Sequence, residues 1–147
     1  MNALEMLKKD HDTVKEILDQ LEDTTERATK KRTELFAKLK EELTDHETIE
    51  EEIFYPALLE FEKAREIVNE AYEEHQLVDY VLEDMSELSP SDEAWTAKLS
   101  VAKENILHHI KEEEGEMFKR ARQALGKDQL EELAVQMEER KQALHVE

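Results

Sequence analysis

The chain has 147 residues, of which 40% are charged, and its 39 acidic and 20 basic side chains leave a formal net charge of −19. This length suits one domain with a substantial core, and the negative charge disfavours nucleic acid or an anionic membrane surface as a partner. The lack of cysteine excludes disulfides and thiolate metal sites. Because no signal-peptide-like start or bilayer-length apolar run is seen, we expect a cytoplasmic protein.

Long helices are predicted, because the chain has only two glycines and two prolines and is rich in strong helix formers. Apolar residues at three- and four-residue spacing place the first three helices at about 3–23, 28–60 and 63–87. Pro56 is expected to kink or end the second of these helices near Tyr55, because proline lacks a backbone donor.

The fourth helix is expected to start with Ser89 as its N-cap and to end at Gly126. The predicted fold is therefore all-α: an up-and-down four-helix bundle over residues 1–126. An amphipathic C-terminal helix over 127–147 is expected to pack on the bundle or to lie at a dimer interface.

A histidine replaces an apolar residue on the inward face of each predicted bundle helix. The spacing is duplicated, since 35 positions separate the first two histidines and 34 separate the last two. A glutamate follows the second histidine of each pair at i+4, which places it on the same helix face one turn further on. The six residues are His11, His46, Glu50, His75, His109 and Glu113.

These residue types predict a metal site with two ions in the bundle core. Buried carboxylates are costly unless they are paired or bound to a metal, and side chains from four neighbouring helices can converge in a bundle. Imidazole and carboxylate together suit Fe, Zn, Cu or Mn. Glu47 and Asp79 remain open as additional ligands.

Other polar and aromatic residues near the motif are expected to have ordinary roles. His108 and His145 are expected to lie outside the site. The glutamates that flank Glu50 and Glu113 are expected to be mostly solvated, and Tyr55 is expected to pack in the core.

The duplicated array, with the stretches 46–56 and 108–118, resembles the haemerythrin-like HHE cation-binding family over about residues 5–122. The resemblance implies a non-haem diiron centre: two Fe ions joined by an oxo or hydroxo bridge. It also implies that Glu50 and Glu113 bridge the two ions.

Within this resemblance, His11 and His46 serve one metal, and His75 and His109 serve the other. Oxygen-carrying haemerythrins have a further histidine where this chain has Asp79, and an aspartate as the last carboxylate where this chain has a glutamate. These departures count against simple reversible O2 transport.

The expected function is binding of O2, peroxide or NO as a small ligand, in oxygen or iron sensing or handling. Two alternatives stay open: a diiron enzyme that turns over peroxide or nitric oxide, and an iron-sequestering stress protein. The sequence leaves open whether the chain is an enzyme, whether it is a monomer or a homodimer, and which protein partner it has.

Overall fold

The structure, a computed structural model, describes residues 1–145 and consists of helices and short connections, with no strand in that range. The helices are, in order, α1 (Ala3–Glu22), α2 (Thr29–Ile49), π1 (Glu50–Phe54), α3 (Tyr55–Leu59), α4 (Glu62–Ser86), α5 (Glu93–Glu112), π2 (Glu113–Met117), α6 (Phe118–Ala124) and α7 (Lys127–Leu144). Helices α2, π1 and α3 are continuous, and so are α5, π2 and α6, which makes four long bundle helices followed by α7. The predicted all-α fold is confirmed. None of the helices described is both long and apolar enough to cross a membrane.

The bundle is assembled from neighbouring pairs of helices. Helix α1 packs mainly on α2, and α4 packs mainly on α5. Because the connections at 23–28 and 87–92 are short, the two members of each pair run antiparallel. This up-and-down arrangement brings the inward faces of all four long helices to a common axis.

The apolar core is divided into two clusters by a layer of buried polar residues. On α1, Leu7 belongs to one cluster and Val14 belongs to the other, and the buried His11 lies between them. The other three predicted histidines occupy the same kind of position on their helices. The polar layer is therefore enclosed above and below by apolar side chains, which keep bulk water out.

Helix α7 packs on the outside of the bundle against α1, α2 and π1. It buries Leu130, Ala134 and Met137 in the apolar cluster that also contains Phe54. The division into a bundle over 1–126 and a separate C-terminal segment stays a prediction, as does a dimer interface. Val146 and Glu147, the end of the predicted 127–147 segment, lie outside the described residues.

The fourth bundle helix begins later than the sequence suggested. Its N-cap is Asp92, whose Oδ1 accepts a hydrogen bond from the backbone N–H of Ala94 at 2.8 Å. The prediction of Ser89 as N-cap was wrong because its hydroxyl is bonded to Ser91 Oγ, 2.8 Å away in the preceding turn. Asp92 is then the side chain free to satisfy the first helical N–H groups.

Each of the two long helices that carry a His-x3-Glu motif changes from α to π geometry at the glutamate. Segment π1 begins at Glu50, and segment π2 begins at Glu113. A π turn contains one more residue than an α turn and occurs often at functional sites. Instead of ending near Tyr55, the first of these helices changes type just before Pro56 and continues to Leu59. The extra residue changes which side chains point inward after each glutamate.

Candidate metal centre

The four predicted histidines turn their Nε2 atoms toward one another in the polar layer. The Nε2 atoms of His11 and His46 are 3.2 Å apart, and the two ring centroids are 4.8 Å apart. The rings of His75 and His109 form a matching pair with centroids 4.9 Å apart. The sequence duplication is thus repeated in space as two similar histidine pairs.

Glu113 links the two histidine pairs from one side. Its Oε1 is 3.0 Å from Nε2 of His11, and its Oε2 is 3.2 Å from Nε2 of His109. The two oxygens of one carboxylate therefore face one histidine from each pair. This is the placement that a carboxylate bridging two cations requires.

Glu50 links the pairs from the other side and is fully buried, with 0% of its surface exposed. Its Oε1 lies 3.1 Å from Nε2 of His46 and 3.2 Å from Nε2 of His75. Within residues 1–145, neither Glu50 oxygen has a hydrogen bond of acceptable geometry, and neither does Nε2 of His109. Because an unpaired buried carboxylate is costly, these atoms favour a cation at this place.

The spacing of the donor atoms fits such a cation. With metal–nitrogen bonds of about 2.1 Å, two ligands at a right angle lie about 3.0 Å apart, which is close to the 3.2 Å between the first two Nε2 atoms. Two groups of donor atoms each lie within 4.8 Å of one another and share a glutamate: His11, His46, Glu50 and Glu113 in one, and Glu50, His75 and His109 in the other. Imidazole and carboxylate donors suit iron.

Every one of the four histidines also has a carboxylate at its other ring nitrogen. The Nδ1 to oxygen distances are 2.7 Å for His11–Glu114, 3.1 Å for His46–Asp10, 2.7 Å for His75–Glu51 and 2.7 Å for His109–Glu74. An Nδ1–H that donates to a carboxylate leaves the Nε2 lone pair directed to the centre. All four imidazoles are therefore oriented for ligation.

These outer carboxylates were missed or misjudged from the sequence. Glu51 and Glu114 were expected to be solvated, but each one contacts a histidine of another helix. The available signal was the duplication itself, because an acidic residue precedes both His11 and His75 and another follows both motif glutamates.

The carboxylates hold protons on His46, His75 and His109 when no cation is bound. Burial disfavours the charged form of His109, but the adjacent Glu113 carboxylate and the hydrogen bond to Glu74 outweigh it and raise the pKa of His109 to about 10. The same balance of burial against neighbouring carboxylates raises the pKa of His46 and of His75. A metal ion that takes this place must displace those protons.

Tyr55 belongs to the centre, although the sequence suggested only core packing. Its hydroxyl donates a hydrogen bond to Oε2 of Glu113 at 2.7 Å and lies 3.3 Å from Nε2 of His75. Burial and the charges of the two inner glutamates raise the pKa of Tyr55 well above its usual value. The phenol is therefore a neutral donor at physiological pH.

A small cavity of about 20 Å³ adjoins the four histidines. Its apolar wall is formed by Val14, Leu43, Val78, Ile106 and Ile110. This volume holds roughly one water-sized molecule. The site therefore has space for a small ligand and no space for an organic substrate.

The two remaining histidines lie away from the centre. His108 has a side chain that is 60% exposed and pairs with Glu112 on its own helix at 3.2 Å. His145, at the end of α7, lies 2.7 Å from Asp45. Their places agree with the expectation that neither belongs to the site.

Glu47 lines the cavity wall beside the histidines and forms a hydrogen bond with Asp79. Burial and the adjacent Asp79 carboxylate raise the pKa of Glu47 to about 10, so that Glu47 is protonated at neutral pH. A protonated carboxyl is a poor ligand, and we leave this pair outside the proposed ligand set.

An all-helical bundle with a buried layer of histidine and glutamate defines a class of protein, the cation-binding helical bundles. The family model of the hemerythrin HHE cation binding domain matches residues 2–121. The chain belongs to the hemerythrin HHE cation-binding domain family. The resemblance noted from the sequence is thereby confirmed.

Two known proteins illustrate the relationship. A crystal structure of an HHE cation binding domain-containing protein from Mycobacterium kansasii is 27% identical and covers 97% of this chain and 89% of its own, with a TM-score of 0.82. A DNA nickase from Nostoc sp. strain PCC 7120 is 26% identical over 136 residues, which are 92% of this chain and 38% of that protein. The chain thus spans well under half of that curated relative, and the relative's name describes the longer protein.

Proposed function

We propose that this chain is a non-haem diiron protein that binds O2 or a related small molecule, in oxygen or iron sensing or handling. Glu50 and Glu113 are the carboxylates shared by the two ions. The observation that carries the proposal is the environment of Glu50: both of its buried oxygens lack a hydrogen-bond partner among the described residues, while the Nε2 atoms of His46 and His75 converge on Oε1.

Each ion takes one histidine pair in this proposal. His11 and His46 hold the first ion, and His75 and His109 hold the second, as the two groups of donor atoms support. Two inner and four outer carboxylates surround the ions, and this concentration of negative charge favours cations of high charge. Bound iron with so few protein ligands supplies open coordination positions and a change of oxidation state.

The chain's own residues prepare the site for a small molecule. The outer carboxylates hold the imidazoles in the ligating orientation, and the apolar cavity wall excludes bulk water and large molecules. On the opposite side of the histidines, Tyr55 directs a hydroxyl at Glu113. The cavity thus offers an apolar approach, while the hydrogen-bond donor is kept at the bridging carboxylate.

The ligand set is tested by metal content. Protein without a polyhistidine tag is loaded anaerobically with ferrous iron, and iron per chain is measured for wild type, His109→Ala and His108→Ala. We expect two irons in wild type, a marked loss in His109→Ala, and no loss in His108→Ala, because the adjacent His108 is exposed. No bound iron in wild type, or equal retention in the two variants, would contradict the proposal.

The small ligand is tested by titrating the iron-loaded protein with O2, peroxide and NO while its visible absorption is recorded. A saturable spectral change at stoichiometric ligand supports binding at the centre. Spectra that respond no differently from those of His109→Ala would count against it.

A second candidate, turnover of peroxide or nitric oxide, is favoured by the Tyr55 hydroxyl beside the proposed metal position. A buried tyrosine hydroxyl can act as a general acid–base group during turnover, a role that simple binding in an apolar cavity does not require. This candidate is supported if gas evolution or NO consumption is faster than with free iron and is reduced in Tyr55→Phe. Rates equal to those of free iron remove this candidate.

A further inference from the structure

We propose that Lys141 of α7 is a positioning residue for the metal centre, acting through Asp10 on His46, so that docking of α7 and metal binding are linked. This inference rests on the proposed function and goes beyond it, because it assigns a role in metal binding to the C-terminal helix. Lys141 itself touches none of the six proposed ligands.

The connection consists of two successive contacts made by the two oxygens of one carboxylate. Nζ of Lys141 lies 2.7 Å from Oδ1 of Asp10, and Oδ2 of Asp10 lies 3.1 Å from Nδ1 of His46. Since each oxygen has its own partner, neither the position nor the rotation of the carboxylate is free. Helix α7 thereby takes part in orienting an imidazole of α2 through a carboxylate of α1.

Asp10 differs in this respect from the other outer carboxylates. It has the least exposed side chain of the four, at 9%, compared with 22% for Glu114, 25% for Glu74 and 39% for Glu51. Among residues 1–145, it is the only one of the four that forms a salt bridge with a lysine or arginine. The other three carboxylates are more exposed and are stabilised by solvent instead.

The contact between Lys141 and Asp10 has no equivalent in the second unit of the internal duplication. Glu74 occupies the position in the second unit that Asp10 occupies in the first, and it contacts His109 as Asp10 contacts His46. No lysine or arginine forms a salt bridge with Glu74 among the described residues. Helix α7 covers only one side of the bundle, so its effect is expected at the ion held by the first histidine pair.

Removal of the Lys141 amine leaves one Asp10 oxygen without its partner in a buried position, where the carboxylate turns toward solvent and holds His46 less firmly. Loss of a carboxylate that orients a ligating histidine weakens metal affinity by about 10- to 100-fold. Lys141 is one contact further from the ligating histidine, and its substitution retains Asp10 itself. We expect a weakening of about 3- to 10-fold, largely at one of the two ions.

Thermodynamic linkage requires the effect to be reciprocal. If Lys141 strengthens metal binding by some factor, then metal binding strengthens the docking of this part of α7 by the same factor. Leu130, Ala134 and Met137 keep the rest of the helix packed in either state. The expected change is therefore confined to the C-terminal half of α7.

The chain provides a matched control in the preceding residue. Arg140 also pairs from α7 to the bundle, at 3.2 Å from Glu52, but both side chains are substantially exposed and Glu52 contacts none of the histidines. Lys141→Met and Arg140→Met each remove one cation from the same helix turn. Lys141→Arg retains the charge and tests for rescue.

The first measurement is ferrous-iron affinity of the full chain by anaerobic chelator competition. We expect wild type, Arg140→Met and Lys141→Arg to agree closely, and Lys141→Met to bind one ion about 3- to 10-fold more weakly. Equal affinities for Lys141→Met and Arg140→Met would overturn the inference and leave the diiron proposal standing. A wild type that binds no iron would overturn both.

The second measurement is amide hydrogen exchange in α7, with and without iron. Metal loading is expected to slow exchange around Lys141 in wild type and Arg140→Met, and to leave it unchanged in Lys141→Met. A purely structural role of the lysine would change exchange equally with and without iron. That result would overturn the linkage even if the variant were less stable.

Discussion

Tyr55 and Phe118 are equivalent residues that differ by one hydroxyl at the centre. Each is the first residue after a π segment, and each ring stacks on a histidine of the metal centre. Tyr55 stacks on His75 with ring centroids 5.5 Å apart, and Phe118 stacks on His11 with ring centroids 6.3 Å apart. Only Tyr55 donates a hydrogen bond to Glu113. The two halves of the site are therefore chemically unequal despite the duplicated sequence.

Tyr55→Phe should lower the stability of the metal-free protein while leaving the packing intact, because the other half already accommodates a phenylalanine. Loss of a buried hydrogen bond to a charged group costs about 1.5–3 kcal/mol. The measurement is the unfolding free energy in denaturant. Tyr72→Phe is the control, since the Tyr72 hydroxyl makes only a long 3.4 Å contact with a backbone oxygen. Equal stability of the two variants would contradict a role for this hydroxyl.

Glu50→Gln should abolish metal binding and also lower the stability of the metal-free protein. Both ions are expected to be lost, because Glu50 belongs to both groups of donor atoms. The metal-free variant should be less stable than wild type at neutral pH, since the carboxylate that faces protonated His46 and His75 becomes neutral. Iron content and thermal unfolding of the metal-free form measure the two effects. Glu52→Gln, at an exposed position, should change neither.

The stability of the metal-free protein should fall as the pH rises above neutral. The pKa of His109 is raised to about 10 in the folded state, compared with about 6.5 for an unfolded chain. Its stabilising contribution is therefore fully present below about pH 6.5 and is lost as the pH rises toward 10. His46 and His75, whose pKa values are also raised, act in the same direction.

Thermal melts of metal-free protein between pH 6 and 10 measure this loss. Metal affinity should change in the opposite direction and rise with pH, because protons and metal compete for the same nitrogens. A melting temperature that increases over this range would contradict the protonation of these histidines in the metal-free protein. His109→Ala should show a weaker pH dependence than wild type.

Arg32 should stabilise the end of the bundle far from the metal centre. Its Nη1 donates to the backbone oxygen of Pro90 at 2.7 Å and to Thr96 Oγ1 at 2.9 Å. Its Nε donates to Thr24 Oγ1 at 2.9 Å. The guanidinium also lies 4.9 Å from the ring centroid of Trp95. It thus ties together the two connections at 23–28 and 87–92.

Arg32→Met should reduce the free energy of unfolding by about 2–4 kcal/mol, since several partly buried acceptors lose their donor. Lysine should not replace it, because the planar arrangement of donors is lost. Lys31→Met, at an exposed neighbouring position, is the control. Iron content should be unchanged in all three variants, and a loss of iron in Arg32→Met alone would show that this end is coupled to the site.

The sequence by itself determined the features that repeat within single helices. Apolar periodicity is local, so it identified the four long helices and α7, and the i, i+4 relation placed each motif histidine and its glutamate on one inward face. The duplicated spacing therefore selected six residues that the folded chain does bring together. Their role as metal ligands stays a prediction.

Only the tertiary structure decided the contacts between helices. Glu51 and Glu114 looked like solvated residues, and they became partners of histidines on other helices because the π turns at Glu50 and Glu113 change which side chains face inward. The contact of the Tyr55 hydroxyl with Glu113 and that of Lys141 with Asp10 likewise depend on how neighbouring segments pack. Periodicity records which face of a helix is buried, but the partners of that face depend on the rotation and crossing of helices distant in sequence.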